Sequence, residues 1–379
     1  MSLYDQLRNS KNPTGEFSKM LDRLTINNNL LLNVMLELTP VCNFRCPFCY
    51  ARVSPEELKR RNVQIMDFAG WKRYIDEFAK MNAMLLSFTG GECTMHPDVC
   101  RLYRYAYEKG FTINVFTNGS HITDEILEMF TQMPPYRVFL TLYGSCPETY
   151  EKVTGNGKFC DMVKANVEKL VARKIDVVLH ATLSNDNYRD VEDLYAYADS
   201  LGVEIRVTNQ LASAGNCTDE VYQEQKVDND KVTPITMDRW RKKRGITPDQ
   251  VLPKQCIRPV TPDPNAVGIK CNAGKNACFI RHDGKMLGCN MLDAFTVDTH
   301  GRPLSECFAE LNAWAKSLQR IKECEGCIHA FHCTTCVAAH YADTKQIGVP
   351  SPKLCFKVLQ PEKARQEQEF FEKHGYLEI

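Results

Sequence analysis

From residue 30 to about 210 the chain alternates short apolar runs with longer stretches of helical period. The runs "LLLNVMLEL" (30–38), "MLLSFTGGE" (84–92), "FTINVFTNG" (111–119), "YRVFLTLYG" (136–144), "DVVLHATLS" (176–184) and "VEIRVTNQ" (203–210) read as six strands. They are rich in β-branched and aromatic residues, and several end in Gly, Asn or Ser. Between them Val163, Val167, Leu170 and Val171 recur at i, i+4, i+7 and i+8, and Val191, Leu194, Tyr195, Ala198 and Leu201 repeat the stripe. Strands separated by helices predict parallel βαβ units, hence an α/β fold and, over 30–210, a partial (β/α)6 barrel of parallel strands. In such sheets chemistry gathers at the C-terminal ends of the strands. "CNFRCPFCY" (42–50) follows the first strand, "TGGE" ends the second and "TNG" ends the third. The unusual residues therefore converge on one rim.

Outside the barrel the pattern changes. Residues 1–29 form an N-terminal extension. Residues 211–255 read as a linker, with a loop-like "ASAGNCTDE" and a basic run "DRWRKKRG" taken as a solvated turn. Residues 256–356 are cysteine-rich, and 357–379 form a helical tail. The net charge of zero argues against a general nucleic-acid binder. No apolar run reaches the roughly 18 residues of a membrane span, and the N-terminus lacks an apolar signal region. A cytoplasmic protein with no membrane and no nucleic-acid partner is expected. In that setting 18 cysteines point to metal rather than disulfides.

Cys42, Cys46 and Cys49 leave a ligand set one short, since a cubane cluster or a tetrahedral metal takes four. Three thiolates on a four-iron cluster leave one iron open to a small chelating molecule. An amino acid suits it, and S-adenosylmethionine (SAM) carries that chelate beside a cleavable sulfonium. Zinc with a distant fourth ligand is the alternative. The C-x3-C-x2-C spacing, Phe48 and "GGE" resemble the radical SAM enzymes over residues 30–210. The resemblance implies that Cys42, Cys46 and Cys49 hold the catalytic [4Fe-4S] cluster with its open site. It places Phe48 near the adenine, Gly90 and Gly91 against the methionine moiety, and Glu92 near its ammonium. Asn118 and Thr141 would lie near the SAM ribose or carboxylate, with Ser184 a further candidate. Family members often carry Ser at the position of Thr141 and Asp two residues on, where this chain has Tyr143.

The C-terminal cysteines are Cys271, Cys278, Cys289, Cys324, Cys327, Cys333, Cys336 and Cys355, enough for two fully ligated cubanes. Paired zinc sites are the alternative. The arrangement resembles a SPASM domain, which implies two auxiliary [4Fe-4S] clusters. By that resemblance one is held by Cys271, Cys278, Cys289 and Cys336, the other by Cys324, Cys327, Cys333 and Cys355. Cys256 could replace Cys271 or Cys278. Cys333 and Cys336 are two residues apart where three is usual. Of the remaining cysteines, Cys93 follows "GGE" and could face the active-site mouth.

Together these resemblances imply a radical SAM/SPASM enzyme of the peptide-maturase kind. It would cleave SAM reductively and abstract hydrogen from a precursor peptide, leaving a thioether, a carbon–carbon crosslink or an epimer. Oxidation of an alcohol or small carbohydrate is the alternative within the class. A non-catalytic iron–sulfur carrier or a zinc-ribbon module is the alternative outside it. A flavodoxin or ferredoxin would supply electrons, and a separate chain any leader-binding domain. The substrate base is unassigned: Asn290 stands where sulfatase-maturing members are expected to carry Asp, and an amide cannot take a proton.

Overall fold

The computed structural model describes residues 13–51, 53, 55–60, 64–243, 245, 271–318, 336–362, 364–366 and 369. Cys256, Cys324, Cys327 and Cys333 lie outside the described residues, as do the end of the linker and most of the tail. The six expected strands are β1 Asn33–Thr39, β2 Leu85–Gly90, β3 Thr112–Thr117, β4 Arg137–Thr141, β5 Val177–Thr182 and β6 Glu204–Thr208. They lie side by side in chain order, all parallel, in an open sheet.

Strand side chains alternate between faces. Val34, Leu36 and Leu38 of β1, Leu86 and Phe88 of β2, Ile113 and Val115 of β3, and Val138 and Leu140 of β4 are buried in the main core. The intervening Met35, Thr89, Asn114, Phe116, Phe139, Thr141 and His180 are only half-buried. A parallel sheet covered on both faces reads as continuous apolar runs. Here one face carries the helices and the other stays open, so β3 and β4 alternate.

The helices cover the closed face with the stripes their sequences show. Phe68–Lys80 buries Trp71, Tyr74, Ile75 and Phe78, and Asp67 caps it by accepting from the Gly70 amide at 2.9 Å. Such a cap contributes about 1 kcal/mol. Phe159–Ala172 buries Val163, Val167 and Leu170, while Val191–Leu201 buries Val191, Leu194, Tyr195 and Ala198. Each fully buried Leu or Val contributes roughly 1.5–3 kcal/mol.

The sheet does not stop at β1. The strand β7 Ala277–Ile280 pairs parallel with β1, Ile280 opposite Leu36. Antiparallel β8 Lys285–Leu287 and β9 Val297–Asp298 follow outward. The cysteine-rich segment thus covers the β1 edge that would otherwise expose unpaired backbone groups. The helix Pro13–Asn27 seals the same corner. Asn276 donates to Asp22 Oδ1 at 3.0 Å and Thr25 Oγ1 at 2.8 Å, and its carbonyl accepts from Leu32 and Asn33. A smaller apolar cluster, Leu292, Ala315 and Ala338 with Cys289 and Cys336 against it, lies apart from the main core. Among the described residues no helix is long and apolar enough to cross a membrane.

Candidate active site

The rim is assembled where β1, β2 and β3 end. Gly91 N donates to Thr39 O at 2.7 Å and Glu92 N to Val41 O at 2.8 Å, so the "TGGE" turn lies flat along the chain entering the cysteine loop. A Cβ on Gly91 would sit 2.5 Å from the carbonyl oxygens of Pro40 and Val41, and one on Gly90 would strike Thr39 O. The two glycines therefore let backbone pack on backbone at the root of the loop.

Glu92 is fully buried. Its Oε1 accepts from Thr94 N (3.1 Å), Thr94 Oγ1 (2.6 Å) and Thr117 Oγ1 (2.7 Å), and its Oε2 from Asn118 N (2.6 Å). The carboxylate thus ties the end of β2 to the end of β3. Burial nonetheless pushes its pKa up, against the four donors that favour its ionised form. Cys93 turns away from the mouth: it is fully buried, and its thiol donates to Phe116 O at 3.2 Å inside the core. The expectation of a rim-facing Cys93 is corrected, because a 3-10 turn after Glu92 rotates the side chain inward.

In the cysteine loop Cys46 is buried and Cys42 and Cys49 are partly buried. Cys42 Sγ accepts from Phe44 N at 3.4 Å and Asn118 Nδ2 at 3.5 Å. Phe44 is buried against Tyr143 (ring centroids 5.4 Å) and Phe159 (4.6 Å), which fixes the loop over β4 and the helix Phe159–Ala172. Arg45 N donates to Thr154 O at 2.8 Å. From the other side the chain after β6 closes on the loop: Asn216 N donates to Cys49 O at 3.1 Å, and Gly215 lies directly on the Tyr50 backbone. Burial pushes the Cys42 thiol up to about 12, and the Cys46 thiol higher still. Bare thiolates at Cys42 and Cys46 are disfavoured there, and thiolate ligands suit a soft metal centre in which each sulfur takes a different metal atom, as in an iron–sulfur cluster, rather than one shared ion. Among the described residues no group of three His, Cys, Asp or Glu side chains could hold a single metal ion.

The other expected contacts divide. Phe48 is buried within the main core cluster, beside the loop it belongs to. Thr141 ends β4 on the open face, in register with His180 of β5. Ser184 is fully buried: its amide donates to Asn187 Oδ1 at 2.7 Å and its hydroxyl accepts from Asp186 N at 3.3 Å, so it closes its own turn. Asn43, Thr94, Thr117 and Ser120 hold the rim together and were not singled out from sequence. Each carries an ordinary turn-type side chain, and only the partners brought from other strands give it a task.

In the C-terminal segment Cys289 and Cys336 lie against the smaller apolar cluster, and burial pushes the Cys289 thiol up to about 11. Cys278 does not join them. It sits in β7 opposite Val34, on the helix-covered face, fully buried in the main core. Cys355 is half-buried, its amide donating to Ser351 O at 2.9 Å. The two cysteine regions are joined where β7 pairs with β1, the strand that leads into the cysteine loop. Beside this contact, Glu37 Oε2 accepts from the His282 amide at 3.1 Å and is 2.6 Å from His282 Nδ1.

The chain is similar to known proteins along most of its length. The Radical SAM superfamily model matches residues 36–198. The chain is 25% identical to AdoMet-dependent heme synthase of Methanosarcina barkeri over 332 residues, covering 81% of this chain and 91% of that protein. It is 25% identical to the mycofactocin maturase MftC of Mycobacterium tuberculosis, covering 87% and 84%. Among solved structures, Streptococcus suis SuiB bound to precursor peptide SuiA superposes with a TM-score of 0.59 at 13% identity, covering 82% of this chain and 73% of that one. The structure titled native anSMEcpe with bound AdoMet and Cp18Cys peptide superposes at 0.57 and 16% identity, covering 90% and 98%.

Proposed function

We propose that this chain, whose residues 36–198 match the Radical SAM superfamily model, is a radical SAM enzyme that modifies a precursor peptide. The observation that carries the reading is the convergence of three cysteines, "TGGE" and "TNG" on one rim above an open sheet face. Cys42, Cys46 and Cys49 hold the [4Fe-4S] cluster and leave one iron for SAM. When bound, cluster and SAM together supply a deoxyadenosyl radical that abstracts hydrogen from an unactivated carbon.

The chain's own residues set the place where this happens. Gly90 and Gly91 seat the rim of β2 on the cysteine loop, and Glu92 joins that rim to β3. Phe48 and Thr141 face the SAM side of the rim in this reading. The half-buried Phe116 and Phe139, stacked at 4.6 Å, form an apolar floor for a substrate side chain on the open face. Residues 256–356 supply two auxiliary clusters, one drawing on Cys271, Cys289 and Cys336, the other on Cys355 with Cys324, Cys327 and Cys333. Electrons come from a flavodoxin or ferredoxin, and a separate chain binds any leader.

The peptide substrate is supported by relatives named as maturases, including the sporulation killing factor maturation protein SkfB of Bacillus subtilis. A second reading, action on a small non-peptide molecule, is favoured by the match to AdoMet-dependent heme synthase along most of both chains. One experiment separates them. The anaerobically reconstituted chain, reduced with dithionite in the presence of SAM, is expected to release 5'-deoxyadenosine and methionine. The Cys42→Ala, Cys46→Ala, Cys49→Ala variant should release neither. Co-expression with a short reading frame beside the gene should then shift the mass of that peptide. Cleavage of SAM with no shift in any neighbouring peptide would favour the small-molecule reading.

A further inference from the structure

We propose that Asn118 is a positioning residue for the catalytic cluster: its side-chain amide holds the Cys42 sulfur and raises the cluster's reduction potential, and it does not touch SAM. This rests on the three-cysteine reading above and departs from the SAM contact that the family resemblance implies.

The orientation of the amide follows from its neighbours. Ser120 N lies 2.9 Å from one end of the Asn118 side chain, and a backbone amide only donates, so that end is Oδ1. Ser120 Oγ donates to the same oxygen at 2.6 Å. Nδ2 therefore faces the other way, 3.0 Å from Asn43 Oδ1 and 3.5 Å from Cys42 Sγ. Asn43 turns its own Nδ2 to Ser120 Oγ at 2.8 Å, which closes a ring of three side chains. Each bond around the ring runs from a donor to an acceptor.

The consequence is saturation. Both hydrogens of the Asn118 amide are taken, one by Asn43 and one by Cys42. Both lone pairs of Oδ1 are taken by Ser120. The backbone amide is taken by Glu92 at 2.6 Å, and the residue is 5% exposed. No donor or acceptor of the Asn118 side chain remains to bind a ribose hydroxyl or a carboxylate without dismantling the ring. What the arrangement does provide is a fixed N–H aimed at a metal-ligating sulfur. A donor there disperses thiolate charge. The reduced cluster carries one more negative charge and gains more from it, so the potential rises.

The test uses the reconstituted full chain and follows, by EPR-monitored redox titration, the signal that the triple cysteine variant abolishes. Asn118→Ala should lower the reduction equilibrium constant about tenfold, about 59 mV for a one-electron couple. SAM affinity, measured by equilibrium dialysis, should be unchanged. Asn118→Asp keeps the Ser120 contacts but sets a carboxylate beside the thiolate, and should lower the potential further. If Asn118→Ala takes up no cluster, the Asn118→Asp titration decides. An unchanged potential, or a tenfold loss of SAM affinity, would overturn the proposal. If no signal in the wild-type chain depends on the three cysteines, the cluster reading itself fails and takes the proposal with it.

Discussion

Glu92 is a carboxylate with no solvent contact, shared among four donors from three residues. Burial outweighs those donors and holds its folded pKa above the ordinary carboxylate value. The sign of the pH effect follows. A carboxyl raised on folding contributes stability fully below its unfolded pKa, and that contribution is lost as pH rises through the folded value. Glu92→Gln cannot ionise, but its amide must face a donor. It is expected to destabilise the chain by about 1–3 kcal/mol at acidic pH. The gap to wild type should narrow as pH rises, because only the wild type loses stability to ionisation. Urea unfolding at two pH values on either side of the transition checks both. The motif "TGGE" was legible because its residue types are unusual after a strand. The task of Glu92 was not, because Thr117 and Asn118 reach it from the next strand. The same holds for Asn118: "TNG" marks a turn, and only folding places Cys42 beside it.

At the scale of elements, the cysteine loop is gripped on two sides by backbone. Gly91 and Gly90 seat it on the end of β2, and Gly215, at φ +60°, seats it under the chain after β6. A methyl at Gly91 displaces the root of the loop, so Gly91→Ala should lose about four irons per chain and all 5'-deoxyadenosine formation. Gly215→Ala combines a strained φ with a clash on the Tyr50 backbone. Its iron should leave to a chelator faster than wild type, while far-ultraviolet dichroism of the sheet stays the same. Six strands and two helical stripes could be read along the chain because each repeats a period over five or more residues. The strand β7 could not, since "ACFI" is four residues long and carries no alternation. Its strand character comes from pairing with β1.

That pairing decides how the whole molecule is joined. With β7 in the sheet, Cys278 shares a face with Val34 and enters the main core, while Cys289 and Cys336 lie against the smaller apolar cluster beyond it. Spacing alone could not separate these cysteines, because which face a strand residue takes is fixed only once the register is set. The register makes a whole-chain prediction. Cys289→Ala should lose about four irons from the reconstituted protein, leaving SAM cleavage by the first cluster to be measured separately. Cys278→Ala should keep its full iron content and instead lower stability by about 1 kcal/mol. Iron and sulfide analysis beside a denaturation curve distinguishes the two. If Cys278→Ala lost the irons, its thiol would face the auxiliary cluster. The β1–β7 register would then have to slip by one residue, and Phe279 rather than Cys278 would lie beside Val34 in the core.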